Sequence, residues 1–334
     1  MNVRKSHILI IVIVVIGFIT NACDHSTVHR DIRDSISANA NAPDAYPKLL
    51  AVYVPWFGDK DHINVGYSTQ DPSVLRSQIN KARELGIYGF AINWYGNRHP
   101  FLDHSTALLA KIAADMHYHV CLMYDEIQED NGHSTDDALE EFDRAYKDYI
   151  APDAPGHDAY VFYNGRPVIF IFPKYGHTDW DQVRAMVDKW PTPPLLIYKD
   201  HPPAKYVNDF DGIYAWVHPG KGWAQNGSDW GKEYLQNFYK QTRAKYPDKL
   251  VIGAAWPGFD DSKASWGLNR HMDQRCGKTF EDTLSMYHEY ADASKPMPFL
   301  VVATWNDYEE GTAIERGLAK CEKGSGDQSR GGGQ

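Results

Sequence analysis

Between Leu49 and Trp305 the chain alternates short apolar runs with stretches of helical periodicity. The runs are Leu49–Trp56, Tyr88–Trp94, His119–Tyr124, Pro167–Phe172, Leu195–Tyr198, Gly212–Trp216, Leu250–Trp256 and Phe299–Trp305. They are brief, rich in Val and Ile, and apolar on both faces, as strands buried on both sides of a parallel sheet are. The intervening stretches Pro72–Leu85, Ser105–Met116, Thr135–Ile150, Trp180–Lys189, Trp230–Tyr246 and Phe280–Tyr290 predict helices. Asp71-Pro72 and the acidic run from Ser134 to Asp137 supply start signals. After the fifth run, the segment around Pro202–Asn208 is too short for a full helix.

Eight such strands, each followed by a crossover, predict a (β/α)8 TIM barrel over residues 48–317. An open doubly wound sheet would carry a Gly-rich phosphate turn, and the chain has neither GxGxxG nor GxxxxGK followed by Ser or Thr. Little sequence remains after the eighth run, so the final helix is expected to be short or incomplete. Either that helix or the N-terminal tether would complete the wall.

The ends of the chain lie outside this alternation. Residues 1–22 begin with Arg4 and Lys5 and continue as an apolar run from Ile8 to Ile19, too short to span a bilayer. They are expected to be a signal peptide. Thr20-Asn21-Ala22-Cys23 is similar to a lipoprotein cleavage site and makes Cys23 the candidate lipidation site; the alternative is ordinary cleavage nearby. Residues 23–47 are polar and predict a tether, and 318–334 predict a disordered tail. The expected location is exported, in a bacterial periplasm or at the cell surface, with membrane contact through the N-terminal lipid anchor alone.

Composition narrows the partners. Net charge is −10. It falls to −12 without residues 1–22, which hold two basic residues and no acid. An acidic surface disfavours nucleic acid. Cys23, Cys121, Cys276 and Cys321 contain no CxxC pair, which excludes a cysteine zinc site and a disulfide scaffold. A Cys276–Cys321 bond is compatible with export. No HExxH or other tight ligand spacing occurs, so neither metal nor cofactor is expected.

In a barrel, chemistry sits at the C-terminal ends of the strands. Trp56, Trp94, Trp216, Trp256 and Trp305 recur there, with Tyr95, Tyr124, Asn93, Asn306 and His218 beside them. Acids accompany them: Asp125 and Glu126 after strand three, Asp260 after strand seven, and Asp307, Glu309 and Glu310 after strand eight. Aromatic faces stack on sugar rings, and glycoside cleavage uses a carboxyl pair with one member protonated and one ionised. The three crowded acids after strand eight are the first candidates, because mutual repulsion raises a carboxyl pKa. Asp125 and Glu126 form a second pair across the barrel. His218 and His271 are candidate sugar contacts, or structural histidines.

Trp305-Asn306-Asp307-Tyr308-Glu309-Glu310-Gly311-Thr312-Ala313-Ile314-Glu315 resembles the Asn-Glu-Trp-His-Glu-Gly-Thr-Gln-Ile-Glu signature of glycoside hydrolase family 99. Val54-Pro55-Trp56-Phe57, Asn93-Trp94-Tyr95-Gly96, Tyr163-Asn164-Gly165-Arg166-Pro167 and Pro257-Gly258-Phe259-Asp260-Asp261 extend the similarity over roughly residues 48–316. The resemblance implies a (β/α)8 fold and a retaining endo-acting hydrolase of α-linked glycans. It places the catalytic pair on Asp307 and Glu310. Asp307 would act as base on the sugar's own 2-hydroxyl, which attacks C1. Glu310 would protonate the departing oxygen and then activate water to open the 1,2-anhydro sugar. Asp307 stands where the signature has Glu and is one methylene shorter. The other readings are a glycan-binding lipoprotein without turnover and a polysaccharide-modifying transferase.

Overall fold

The computed structural model describes residues 47–126, 133–174, 177–218, 228–292 and 294–320. Its centre is a parallel sheet of eight strands: β1 (Lys48–Tyr53), β2 (Gly89–Trp94), β3 (His119–Asp125), β4 (Arg166–Phe172), β5 (Leu195–Lys199), β6 (Gly212–Tyr214), β7 (Leu250–Ala255) and β8 (Phe299–Val302). Each pairs in parallel with the next in sequence, and β8 returns to β1, with Leu49 opposite Leu300, so the sheet closes. All eight apolar runs become strands. Those beginning at Leu49, Gly212, Leu250 and Phe299 end before their tryptophan, which falls in the loop beyond.

Helices α1 (Pro72–Glu84), α2 (Pro100–Asp115), α3 (Ser134–Ala145), α4 (Trp180–Val187), α5 (Lys232–Lys245) and α6 (Lys278–Ser285) surround the sheet. Asp71 caps α1 by accepting from the Ser73 amide at 2.8 Å, and Pro72 occupies the first helical position, where a missing N–H costs nothing. Leu75, Gln78, Ile79 and Ala82 form the buried stripe of α1, at the spacing of one helix face. After β5 there is a short 3-10 segment, Ala204–Asp209, in place of a full helix. Among the described residues no helix follows β8; residues 303–320 are loop and turn. The signal, tether and most of the tail, with Cys23 and Cys321, lie outside the described residues. Cys276 is disulfide-bonded, and Cys121 is a buried free thiol.

Two features outside the barrel alternation shape the reactive end. Phe259–Asp260 and His271–Met272 pair as an antiparallel hairpin after β7. In the loop after β2, Gly96 has φ +67°, and a Cβ there would sit 1.9 Å from the Glu141 carboxyl carbon. Glycine is required because Glu141 packs onto this backbone and accepts from the Asn97 amide at 2.9 Å.

Candidate active site

Every strand of the barrel, or the loop that follows it, contributes to one cleft of about 840 Å³ at the C-terminal rim. Val52, Val54 and Trp56 follow from β1, Asn93 and Tyr95 from β2, Met123 and Asp125 from β3, and Phe172 and Lys174 from β4. Lys199 comes from β5, Trp216 from the loop after β6, Trp266 from the hairpin, and Thr304, Asp307 and Glu310 from the segment after β8. The contributors named from the first three strands are two residues apart. Alternate side chains of a strand share a face, so the barrel interior continues into the cleft wall.

The strand-eight turn is built around Asp307. Its amide donates to Thr304 Oγ1 at 2.8 Å. Its Oδ1 accepts from the Glu309 and Glu310 amides at 3.0 and 2.9 Å. Gly311, at φ +64°, turns the chain so that the Glu310 carbonyl accepts from the Asp260 amide at 2.8 Å. Asp307 Oδ2 accepts no hydrogen bond among the described residues and is the oxygen left for a ligand. Burial, then the Glu310 charge, push the Asp307 carboxyl well above the usual range, against the two amide bonds that favour its ionised form. Burial also raises Glu310, opposed by a hydrogen bond from Trp266 and by the charges of Arg270 and Lys199. Both carboxyls therefore hold their protons more tightly than free ones do.

The third acid of the loop has another task. Glu309 turns away, with Oε2 2.8 Å from His62 Nδ1 and Oε1 accepting from the Ile63 amide at 3.2 Å. It secures the loop after β1, whose His62 stacks on Trp56 at 4.8 Å. Asn306 is likewise internal. Its amide accepts from the Val54 N–H at 2.8 Å and donates to the Val54 carbonyl at 2.9 Å, clasping β1 to the β8 turn. Glu315 ends the motif as a buried anchor, accepting from Tyr67, Tyr308 and Gln78 of α1 at 2.7–2.8 Å.

Of the residues singled out in the sequence, Trp56, Asn93, Tyr95, Asp125, Trp216, Asp307 and Glu310 meet in the cleft. Asn93 Nδ2 donates to the Tyr95 hydroxyl at 2.8 Å, and that hydroxyl is hydrogen-bonded to Asp125. Asp125 pairs with Lys174 Nζ at 2.6 Å; its carboxyl is raised by burial, which the lysine opposes. The others stand elsewhere. Trp94, Tyr124, Trp256 and Trp305 are fully buried core side chains, the first two facing away from the cleft by the same alternation that brings their neighbours in. Glu126 is buried and accepts from the Lys174 and Thr178 amides at 3.0 Å, holding the loop after β4. The ring of His218 stacks on Tyr234 at 5.0 Å, Asp260 caps the Ser262 amide at 3.0 Å, and His271 is exposed on the hairpin. None of these three lines the cleft.

Sequence reasoning missed Lys174, Lys199, His62 and Trp266. Alternation pointed to both lysines, each two residues beyond an inward-facing strand residue. Lys199 Nζ lies 3.6 Å from the Phe172 ring centre, and burial pushes its ammonium down while Asp200, Asp125 and Glu310 hold it up. His62 and Trp266 arrive from loops whose course has no periodic signal.

A closed eight-stranded α/β barrel, with an aromatic-walled cleft and a carboxyl pair at its C-terminal rim, is the class of protein that fold and site define. The sequence profile of glycosyl hydrolase family 99 matches residues 62–325, and the chain belongs to that family. Among curated proteins it is similar to the mouse glycoprotein endo-alpha-1,2-mannosidase, at 22% identity over 274 residues, covering 76% of this chain and 56% of that one. The rat protein of the same name is 24% identical over the same coverage. The chain thus spans about half the length of the curated relatives it matches. The solved structure of the GH99 endo-alpha-mannosidase from Bacteroides thetaiotaomicron superposes with a TM-score of 0.59 at 20% identity, over 82% of this chain and 89% of that one. A glycoside hydrolase-like protein superposes at 0.56, with 14% identity and coverage of 80% and 86%. These likenesses show the fold.

Proposed function

We propose that this chain is a glycoside hydrolase that cleaves an α-linked glycan within its length and retains the anomeric configuration. The observation that carries this reading is the Asp307–Glu310 pair: two carboxyls on one turn, both raised by burial, lining an aromatic cleft. One protonated and one ionised carboxyl is what glycoside cleavage asks of its acid and base. Glu310 is the general acid and then the base towards water. Asp307 takes the proton of the 2-hydroxyl through Oδ2, the oxygen not committed to the turn. Trp56, Trp216 and Tyr95 wall the cleft, and Lys174, Lys199 and Asn93 offer donors to hydroxyls. The names of the curated relatives make α-1,2-linked mannose the first sugar to test.

The test is a screen of the purified chain against defined α-mannans, α-glucans and bacterial polysaccharides, with product anomers followed by NMR. Glu310→Gln should abolish cleavage and keep binding. A wild-type chain that binds glycans yet cleaves none across the panel sinks the hydrolase and leaves the glycan-binding reading; turnover without a nucleotide sugar dismisses a transferase. The N-terminal sequence supports export and a lipid anchor at Cys23, so palmitate labelling should be lost in Cys23→Ser.

A further inference from the structure

Trp266 reaches the cleft from the tip of the hairpin after β7, crossing the strand-eight turn to the loop after β1. Its indole N–H donates to Glu310 Oε1 at 3.1 Å. Its ring packs edge-to-face with Trp56 at 6.0 Å and His62 at 6.1 Å. Yet it remains 44% exposed, one of two large apolar side chains so exposed among the described residues. The hairpin is not slack. Buried Asp261 accepts from the Leu268 amide at 3.0 Å, and from the Arg270 amide and Nε each at 2.7 Å. The Gly267 amide closes the tip onto the Ala264 carbonyl at 2.9 Å. A loop braced in this way holds a half-exposed indole face beside the acid, where a sugar leaving the cleft would meet it.

We propose that Trp266 forms the subsite for the departing sugar and positions the proton of Glu310. This rests on the glycosidase reading. An indole N–H only donates, so the Glu310 oxygen facing it must accept. In the neutral acid the carbonyl oxygen is the better acceptor, so this bond favours the proton on Oε2, the oxygen turned away from the indole. From there it passes to the glycosidic oxygen as the C1–O bond breaks; that oxygen keeps the bond's electron pair, and C1 is taken by O2 of the same sugar. Glu310 is left as a carboxylate, and the same N–H then stabilises its charge. The leaving sugar departs beside the acid, so its apolar ring face meets the exposed indole, with Trp56 behind it.

Trp266→Phe keeps the ring and removes the N–H. Two probes divide its effects: α-1,2-linked mannotetraose, whose leaving sugar needs a proton and a subsite, and the fluoride of α-1,2-mannobiose, whose leaving fluoride needs neither. The variant should lose about tenfold or more in kcat/KM on the tetraose, equivalent to about 1.4 kcal/mol, and change little on the fluoride. Its basic limb should move to higher pH, since the lost bond favoured the ionised acid. A separate readout needs no turnover: the indole 15N–1H resonance missing from Trp266→Phe should titrate with pH in the wild type and stop titrating in Glu310→Gln. Equal losses on both probes, or an indole signal indifferent to pH, overturn the proposal. A wild type inert on both probes counts instead against the glycosidase reading, and the indole titration still decides the Trp266–Glu310 link.

Discussion

The amide of Glu310 donates to Asp307 Oδ1 at 2.9 Å, so the second acid is positioned by the carboxylate of the first. On the proposed function, this is how an aspartate would serve where the family signature has glutamate. Oδ1 reaches the amides two and three residues on, as a capping aspartate does. A longer side chain overshoots them. Asp307→Glu is expected to lower kcat/KM about tenfold and to cost about 1 kcal/mol of stability, despite restoring the family residue. Kinetics and thermal unfolding of the same preparation check it; a gain in both would refute the argument.

Asp307 should also burden the fold at neutral pH. Its carboxyl is raised in the folded state, so between the ordinary aspartate range and that higher value the folded chain binds more protons than the unfolded one. Stability contributed by the protonated form is present at low pH and is lost as pH rises through that window. Asp307→Asn keeps the Oδ1 acceptor and carries no charge. It should be inactive, yet more stable than the wild type at pH 8 by about 1–2 kcal/mol. The gap should close towards pH 4, measured by thermal melts across pH.

Glu309 and Glu310 are adjacent and should behave oppositely. Glu310→Gln is expected to reduce turnover by about 10²–10⁴-fold, the worth of a positioned proton donor, with little change in melting. Glu309→Ala strands His62 and the Ile63 amide and should cost about 1–3 kcal/mol, with a much smaller kinetic effect. The comparison fails if Glu309→Ala is as inactive as Glu310→Gln while its melt is unchanged.

A similar division applies to the tryptophans. Trp305 is wholly buried and packs on Phe90 at 5.4 Å, so Trp305→Ala should cost about 3–5 kcal/mol. Trp216 is half-buried on the cleft wall, and Trp216→Ala should raise KM with kcat nearly unchanged, the signature of lost uniform binding. Denaturant unfolding and steady-state kinetics separate the two.

The barrel was legible because its strands are buried on both faces, and a run such as Pro167–Phe172 has one reading once its neighbours share its spacing. The strand-eight pair was legible because Asp307 and Glu310 sit in one contiguous motif. What the runs did not reveal was direction. Asn93, Trp94 and Tyr95 are consecutive, but the pleat sends the first and third into the cleft and the second into the core. Likewise Asp125 enters the site while Glu126 turns to backbone amides. Trp266 was hidden for another reason: its place depends on Asp261 folding a hairpin tip through three hydrogen bonds, and such side-chain-to-backbone bonding leaves no periodic trace.

The Asn306–Val54 clasp separates what is constant in this enzyme from what can vary. The acids are referenced to the first and last staves of the barrel, whereas the tip of the hairpin is folded by Asp261 and meets Glu310 through the Asp260 amide and the Trp266 indole. Varying the hairpin tip on either side of Trp266, with that tryptophan and Asp260 kept, would change the sugar accepted beside Glu310 while the contacts that aim the acid stay in place. Mutational libraries confined to residues 262–265 and 267–269 are therefore the economical route to new specificity, and drift in those positions is where close homologues should diverge first.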